Sequence, residues 1–397
     1  MTCQNYVSQQ KETIKNLVMN KNITYVTYQN FPAETANSIQ SISNIIEMVR
    51  KGYKLKLIFP NRATESSDDI SVLQNYYNFT EKFEILRIAH ILPFGRIDFF
   101  NKFSFHISHM MWSFYVAYFK LKSDSENLYI TRSDWIFYFL AKKKKAVIFE
   151  CHAESKLRKI LLKSSLKNKN AKIIFVSEAL KTLYSELNLS KEQSRVIENG
   201  FRSDLFEANE VKIPKQVIFV GRLLRFEKSR GLEFLIESFS DERLKDYSLV
   251  IVGGPKYYSE KLKTLVKKLK SRNVKIIGHL NQKDTIKLLM TSEIGVMINS
   301  NEHTNNLKYT FPLKYFEYLA ANLKVVGVNF SAHKNLPFSE NISFFDYGNK
   351  DQLIDSVIQA HSIHNINKLD ISKYSYKNRV KNIIEFARLE GLEPPTL

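Results

Sequence analysis

Short apolar runs, each closed by polar or turn-forming residues, recur along the chain and alternate with segments of helical period. Asn22-Ile-Thr-Tyr-Val-Thr-Tyr28 is rich in β-branched and aromatic residues and reads as a strand. Gln29 to Ala36 is a loop into a helix running to about Arg50, Lys51-Gly52 closes that helix, and Lys54 to Phe59 is the next strand. Strand, loop, helix, strand at this spacing is a βαβ unit, which predicts a parallel sheet with right-handed crossovers. Leu128 to Ser133, Ala146 to His152 and Ala171 to Ser177 continue the series, with Arg195 to Phe201 after them. The stretch Glu207 to Lys215 is polar and contains one Pro, as an interdomain linker would. A second alternating series then begins at Val217-Ile-Phe-Val-Gly221 and continues through Leu249 to Pro255, Val274 to Leu280 and Ile294 to Ile298. Ser375 to Arg388 has the pattern of an amphipathic helix, and the Pro-rich tail from Leu389 reads as disordered.

The most informative stretch is Tyr309-Thr-Phe-Pro-Leu-Lys-Tyr-Phe-Glu317-Tyr-Leu-Ala-Ala-Asn-Leu-Lys-Val-Val326. It predicts a short loop, a helix opened by Pro312 and a buried strand led by Val325 and Val326. The unpaired N–H groups at such a helix start, around Pro312, Leu313 and Lys314, form an anion site suited to phosphate. Glu317 lies four residues beyond Leu313, roughly 6 Å along a helix. That is close to the separation of a nucleotide's phosphates from its ribose, whose two hydroxyls a carboxylate can accept.

Phe311-Pro-Leu-Lys-Tyr-Phe-Glu-Tyr-Leu-Ala-Ala resembles the "SPLK-x-fEymA" segment of retaining family 4 (group 1) glycosyltransferases of GT-B fold. The resemblance implies two Rossmann-like, doubly wound α/β domains facing a central cleft. It implies a nucleoside diphosphate sugar donor on the C-terminal domain and an acceptor on the N-terminal one. The expected boundaries are residues 1–206, residues 216–374, a returning helix at 375–388 and a tail at 389–397. In the family the Glu at position 317 binds the donor ribose. The Gly-Arg followed by Lys-Gly that grips the diphosphate corresponds to Gly221-Arg222, with Lys228 or Arg230 in the Lys role and Lys228 favoured. Gly253-Gly254 and Gly278 follow two further strands on the donor side, where a permissive backbone lets phosphate or base approach. Tyr309 occupies the place of the family's first Glu, with Glu302 the nearest acid upstream, so both are candidates for the donor sugar.

On the acceptor side, Pro32-Ala-Glu34-Thr-Ala-Asn37-Ser-Ile-Gln40 is similar to a first loop of the form "P-[ST]-E-x-A-[NY]-S-x-Q", without the Gly pair of many relatives. Glu34 and Asn37 are candidates there, and equally ordinary residues of a helix start. Arg132 ends one strand, and Glu150 and His152 end another in the family's Glu-x-His wording. An imidazole at that edge can donate to a sugar hydroxyl or to developing charge. Asn199-Gly200 matches the family's Asn-Gly and also reads as a tight turn.

Composition narrows the picture further. The chain of 397 residues suffices for two cores and carries a formal charge of +19. Such charge suits an anionic nucleotide sugar, an anionic membrane surface or nucleic acid, and is also the ordinary consequence of a lysine-rich surface. Cys3 and Cys151 are too far apart in sequence to suggest a disulfide framework or zinc knuckle. The first ten residues lack the apolar core of a signal peptide, and the aromatic-rich region from Ile70 to Lys122 is interrupted by polar residues. That region, which includes Phe94-Gly95-Arg96, is read as a core-packed long helix, with a lipid-touching patch or an acceptor loop as the alternatives. These readings place the protein in the cytoplasm, at most peripheral on the inner face of the membrane. No Asp-x-Asp with supporting ligands stands out, so neither metal nor other cofactor is expected.

The expected activity is hexosyl transfer with retention to a carbohydrate or lipid-linked hydroxyl, in surface polysaccharide or glycolipid synthesis. A nucleotide-sugar binder without transfer, a UDP-sugar epimerase and a nucleic-acid-binding protein are the competing readings. The last lacks any helix-turn-helix or RNA-recognition wording.

Overall fold

The computed structural model describes residues 22–62, 65–90, 101–121, 127–207, 210–225, 228–300, 313–363 and 369–388. The chain divides into two compact units, one of residues 1–198 with 379–397, the other of residues 199–378.

The first unit holds a parallel seven-stranded sheet: β1 (Asn22–Val26), β2 (Lys54–Asn61), β3 (Glu84–Ala89), β4 (Leu128–Thr131), β5 (Val147–Cys151), β6 (Ala171–Phe175) and β7 (Ser194–Val196). Their order is β3-β2-β1-β4-β5-β6-β7. Strand order therefore reverses between β1 and β4, which is where an open parallel sheet forms a ligand crevice at its carboxyl edge. Alternate residues enter apolar layers on opposite faces: Ile23 and Tyr25 on one, Val26 with Val147 and Phe149 on the other. The helix Tyr376–Arg388 supplies Val380, Ile383 and Phe386 to the first of these layers.

The second unit holds β8 (Gln216–Val220), β11 (Ser248–Val252), β12 (Val274–Gly278), β13 (Ile294–Met297), β14 (Lys324–Val328) and β15 (Ile342–Phe345), with a hairpin of β9 (Leu224–Arg225) and β10 (Lys228–Ser229) beside them. The order is β12-β11-β8-β13-β14-β15, again doubly wound, with its switch point between β8 and β13. Val217 and Phe219 face one apolar layer, Ile218 and Val220 the other. Burial on both faces accounts for the continuous apolar wording of these strands.

The first domain was expected to run to residue 206, but residues 199–206 belong to the second unit. The Phe201 amide donates to the Tyr374 carbonyl (3.0 Å), the Tyr376 amide donates to the Phe201 carbonyl (3.0 Å), and the Phe201 ring lies in the same apolar layer as Tyr374. The first ten residues, Cys3, Phe94-Gly95-Arg96 and the tail 389–397 lie outside the described residues.

Candidate functional site

In the second unit the carboxyl ends of β8, β11 and β12 are tied together by backbone. The Gly221 amide donates to the Val252 carbonyl (3.0 Å), the Leu223 amide to Gly254 (2.9 Å) and the Gly253 amide to Gly278 (2.7 Å). Gly253 holds φ +155°, and a Cβ there would lie 1.8 Å from the Gly221 carbonyl oxygen. No other residue fits, because two loops touch at that point. Gly254 and Gly278 have room for a Cβ, so space alone does not require glycine at either.

Arg222 follows β8 directly. Its side chain is exposed and has no ion-pair or hydrogen-bond partner among the described residues. Arg230 is held instead. Its Nε donates to Asn299 Oδ1 (2.5 Å), its Nη1 to the Arg222 carbonyl (3.3 Å), and its guanidinium lies 5.7 Å from the Phe219 ring centroid. Asn299 follows β13, so this bond spans the switch point. Lys228 stands exposed on the hairpin, paired through its backbone with Arg225.

The helix Leu313–Ala320 carries Lys314 and Glu317, which form an ion pair one turn apart, the Glu317 side chain being 18% exposed. What seats this helix is Tyr318. β8 and β13 pair only through Ile294 with Val217 and Gly295 with Ile218. Beyond that the strands part, leaving the Val220 amide and the Val296 carbonyl to find other partners. The Tyr318 hydroxyl accepts from the first (3.2 Å) and donates to the second (3.3 Å). Its ring packs on Gly295, where a Cβ would approach to 2.5 Å. Pro312, Tyr309 and Glu302 lie outside the described residues.

Asn199, also a candidate, is half-buried at the start of this unit. Gly200 beside it is more than a turn residue. Its Cβ would meet the Tyr376 amide nitrogen at 2.7 Å, so here too backbone abuts backbone.

In the first unit, Arg132 follows β4 and donates from Nη1 to Gln40 Oε1 (2.7 Å), across the β1/β4 switch point. His152 follows β5, and its enclosed Nε2 has no hydrogen-bond partner among the described residues. Burial, then the charges of Arg132, Arg379 and Arg158, hold its pKa well below the ordinary histidine value, so the ring is neutral at physiological pH. Glu34 is exposed and Asn37 half-buried. The cap of the helix Ala36–Arg50 is neither of them but Thr35, whose Oγ1 accepts from the Ser38 amide (3.1 Å).

Glu150 departs from the sugar-side role expected of it. It is 1% exposed, accepts from the Tyr25 hydroxyl (2.5 Å) and Asn44 Nδ2 (3.2 Å), and is ion-paired with Arg379. The carboxylate is committed to holding β5 against the helices Ala36–Arg50 and Tyr376–Arg388. Sequence reasoning had also passed over a polar group at the ends of β1, β2 and β3. Tyr28 hydrogen-bonds His90 Nε2 (2.6 Å) and Ser108 Oγ (2.7 Å), stacks on His109 and lies beneath the Arg62 guanidinium. Polar residues placed just past a buried strand were the available signal for Arg62 and Asn299 alike.

Among the described residues, no three His, Cys, Asp or Glu side chains are grouped to hold a metal, and no helix is long and apolar enough to cross a membrane.

Residues 214–362 match the family described as glycosyl transferases group 1. No curated protein sequence matches the chain. Solved structures do. A glycosyltransferase from Rickettsia africae aligns at TM-score 0.62 and 16% identity over 93% of this chain and 98% of its own. Anabaena Alr3699/HepE, solved with UDP, aligns at 0.60 and 14% over 92% and 98%, and TarM at 0.65 and 12% over 93% and 99%. Those likenesses show that the chain has the GT-B fold, and residues 214–362 within it match a glycosyl transferases group 1 domain.

Proposed function

We propose that the protein moves a hexosyl group from a nucleoside diphosphate sugar to a hydroxyl acceptor with retention of configuration, in the synthesis of a surface polysaccharide or glycolipid at the inner face of a membrane. The observation that carries this reading is an exposed Arg222, without a side-chain partner among the described residues, at the β8/β13 switch point beside the close-packed Gly253 loop. A guanidinium there can bind a diphosphate bidentately, and Lys228 adds a point charge. The N–H groups at the start of the helix Leu313–Ala320 add partial positive charge, and Glu317 accepts hydrogen bonds from the ribose hydroxyls after exchanging its Lys314 partner. Support for the donor class comes from the Anabaena protein, solved with UDP, with UDP and glucose, and with UDP-glucose.

As the bond between the anomeric carbon and the diphosphate oxygen breaks, negative charge grows on the leaving group. Groups that neutralise it there lower the barrier without a metal ion. Lys228, exposed on the hairpin, takes the Lys role, and Arg230, engaged by Asn299 and the Arg222 carbonyl, positions the loop. The neutral His152 ring, with Nε2 unpaired, suits a hydroxyl of the transferred sugar or of the acceptor.

The test is incubation with UDP-, GDP- and ADP-sugars and a panel of saccharide acceptors, following nucleotide release and the anomeric proton of the product. Retained configuration, with rates unchanged by a chelator, is expected. Binding of a nucleotide sugar without turnover would indicate a carrier, and release of an isomerised donor without acceptor an epimerase.

A further inference from the structure

The helix Asn101–Tyr115 and the π-helical turn Val116–Lys120 that extends it are packed on one face and apolar on the opposite one. Ser108, His109, Trp112, Ser113, Val116 and Ala117 recur at helical spacing and are buried against the first unit. Ile107, Met111, Phe114 and Tyr118, spaced by four, three and four residues, form a second stripe that faces outward at 36–44% exposure, and Phe119 beside them is 69% exposed. One packed stripe with a polar opposite face is the rule for a surface helix. Of all the large hydrophobic side chains exposed on the described surface, five belong to these thirteen residues. Scattered apolar residues need no explanation; a contiguous stripe does.

The neighbouring helix Asp134–Lys142 widens the stripe, with Phe139 against Phe114 (ring centroids 5.5 Å apart) and Tyr118 (6.1 Å). Lysines rim one end of it. Lys142 and Lys144 are exposed where that helix ends, Lys120 where the π-helical turn ends, and Lys143 reaches over the Tyr118 ring (5.2 Å) to the Ala117 carbonyl (2.7 Å). Lysines at helix ends offset the helix dipole wherever they occur. What distinguishes these is that they border exposed aromatic and aliphatic side chains, the pairing that suits the boundary between acyl chains and anionic headgroups.

We propose that this face of the first unit docks on an anionic lipid bilayer, with Met111, Phe114, Tyr118 and Phe119 entering the headgroup boundary and Lys120, Lys142 and Lys144 among the phosphates. A second copy of the chain is the poorer occupant: two lysine rims would meet in a molecule already carrying +19. The proposal specifies the surface behind the membrane-side reading above, yet it rests on no donor chemistry. Vesicle binding is read without nucleotide sugar, so its failure would leave sugar transfer standing, and failed transfer would leave it standing in turn.

The test is co-flotation of the full chain with vesicles of phosphatidylcholine alone or mixed with phosphatidylglycerol. Wild type is expected on the mixed vesicles and absent from the neutral ones. The double variant Phe114→Ser/Phe119→Ser should lower the partition coefficient about tenfold or more. Lys142→Ala and Lys144→Ala should lower it about fivefold each, an effect erased by high salt. Phe119→Trp keeps the hydrophobic surface and reports directly, its emission shifting to the blue on mixed vesicles alone. Equal flotation of wild type and the double variant, or an unshifted Phe119→Trp emission, would overturn the proposal. So would a dimer in light scattering that the double variant dissolves while wild type ignores vesicles.

Discussion

The Tyr318 hydroxyl accepts the amide of Val220 at the point where β8 and β13 part company. It thereby anchors the helix bearing Glu317 to the strand that delivers Arg222. Tyr318→Phe leaves that buried amide without a partner, which costs about 1–3 kcal/mol. Because the neighbouring Glu317 loses its fixed position, the donor KM should rise more than kcat falls. Denaturant unfolding and donor saturation curves check the two parts.

Glu150 and Arg379 should behave as a structural pair. Their side chains are almost fully enclosed, and Arg379 also donates to the Ile197 (2.5 Å) and Glu198 (2.6 Å) carbonyls. Arg379→Ala strands a buried carboxylate and is expected to destabilise the first unit by about 3–5 kcal/mol. The expected signature in chemical denaturation is an early transition of the first unit alone, the second unit keeping its midpoint.

Acid should weaken the first unit through its histidines. His109 is held at about 3, by burial first and then by the charges of Arg62, His106, His90 and Arg158; His90 is held at about 4, by burial and Arg62. Both values lie below the ordinary 6.5, so the unfolded chain takes up protons first. Stability is therefore full above about pH 6.5 and is lost as pH falls towards these folded values, by about 2 kcal/mol at pH 5 for His109 alone. Unfolding midpoints measured from neutral pH down to about pH 5 should fall less steeply in His109→Gln than in wild type. Parallel curves would contradict the assignment.

Most strands of both sheets were legible because a sheet covered on both faces leaves unbroken apolar runs, as in Val217 to Val220 or Leu249 to Val252; the edge strands β3 and β15 were not. So was the order of strand and helix, and with it the placing of Arg222 at a carboxyl edge. What stayed hidden depended on partners far apart in sequence. Tyr318 meets Val220 across 98 residues, and Arg379 meets Asn44 across 335. No local pattern separates such a tyrosine or arginine from its neighbours. The aromatic region from Ile70 to Lys122, expected to be one core-packed long helix, instead holds the helix Ile70–Tyr77, strand β3 and the helix Asn101–Tyr115, and the last is packed on one face only; hydropathy alone does not say that its other face is exposed. That Arg230 is tied to Asn299, 69 residues on, was equally invisible in the sequence.

The central claim is that Arg222 grips a donor diphosphate while Glu317 reads the ribose. Calorimetric titration of the wild type, Arg222→Ala and Glu317→Ala with UDP, GDP and ADP tests it most directly. The account predicts that one nucleotide binds wild type and that each variant weakens it about 10- to 100-fold, as loss of charged hydrogen bonds does. Equal affinity in all three proteins, with melting temperatures unchanged, would contradict it.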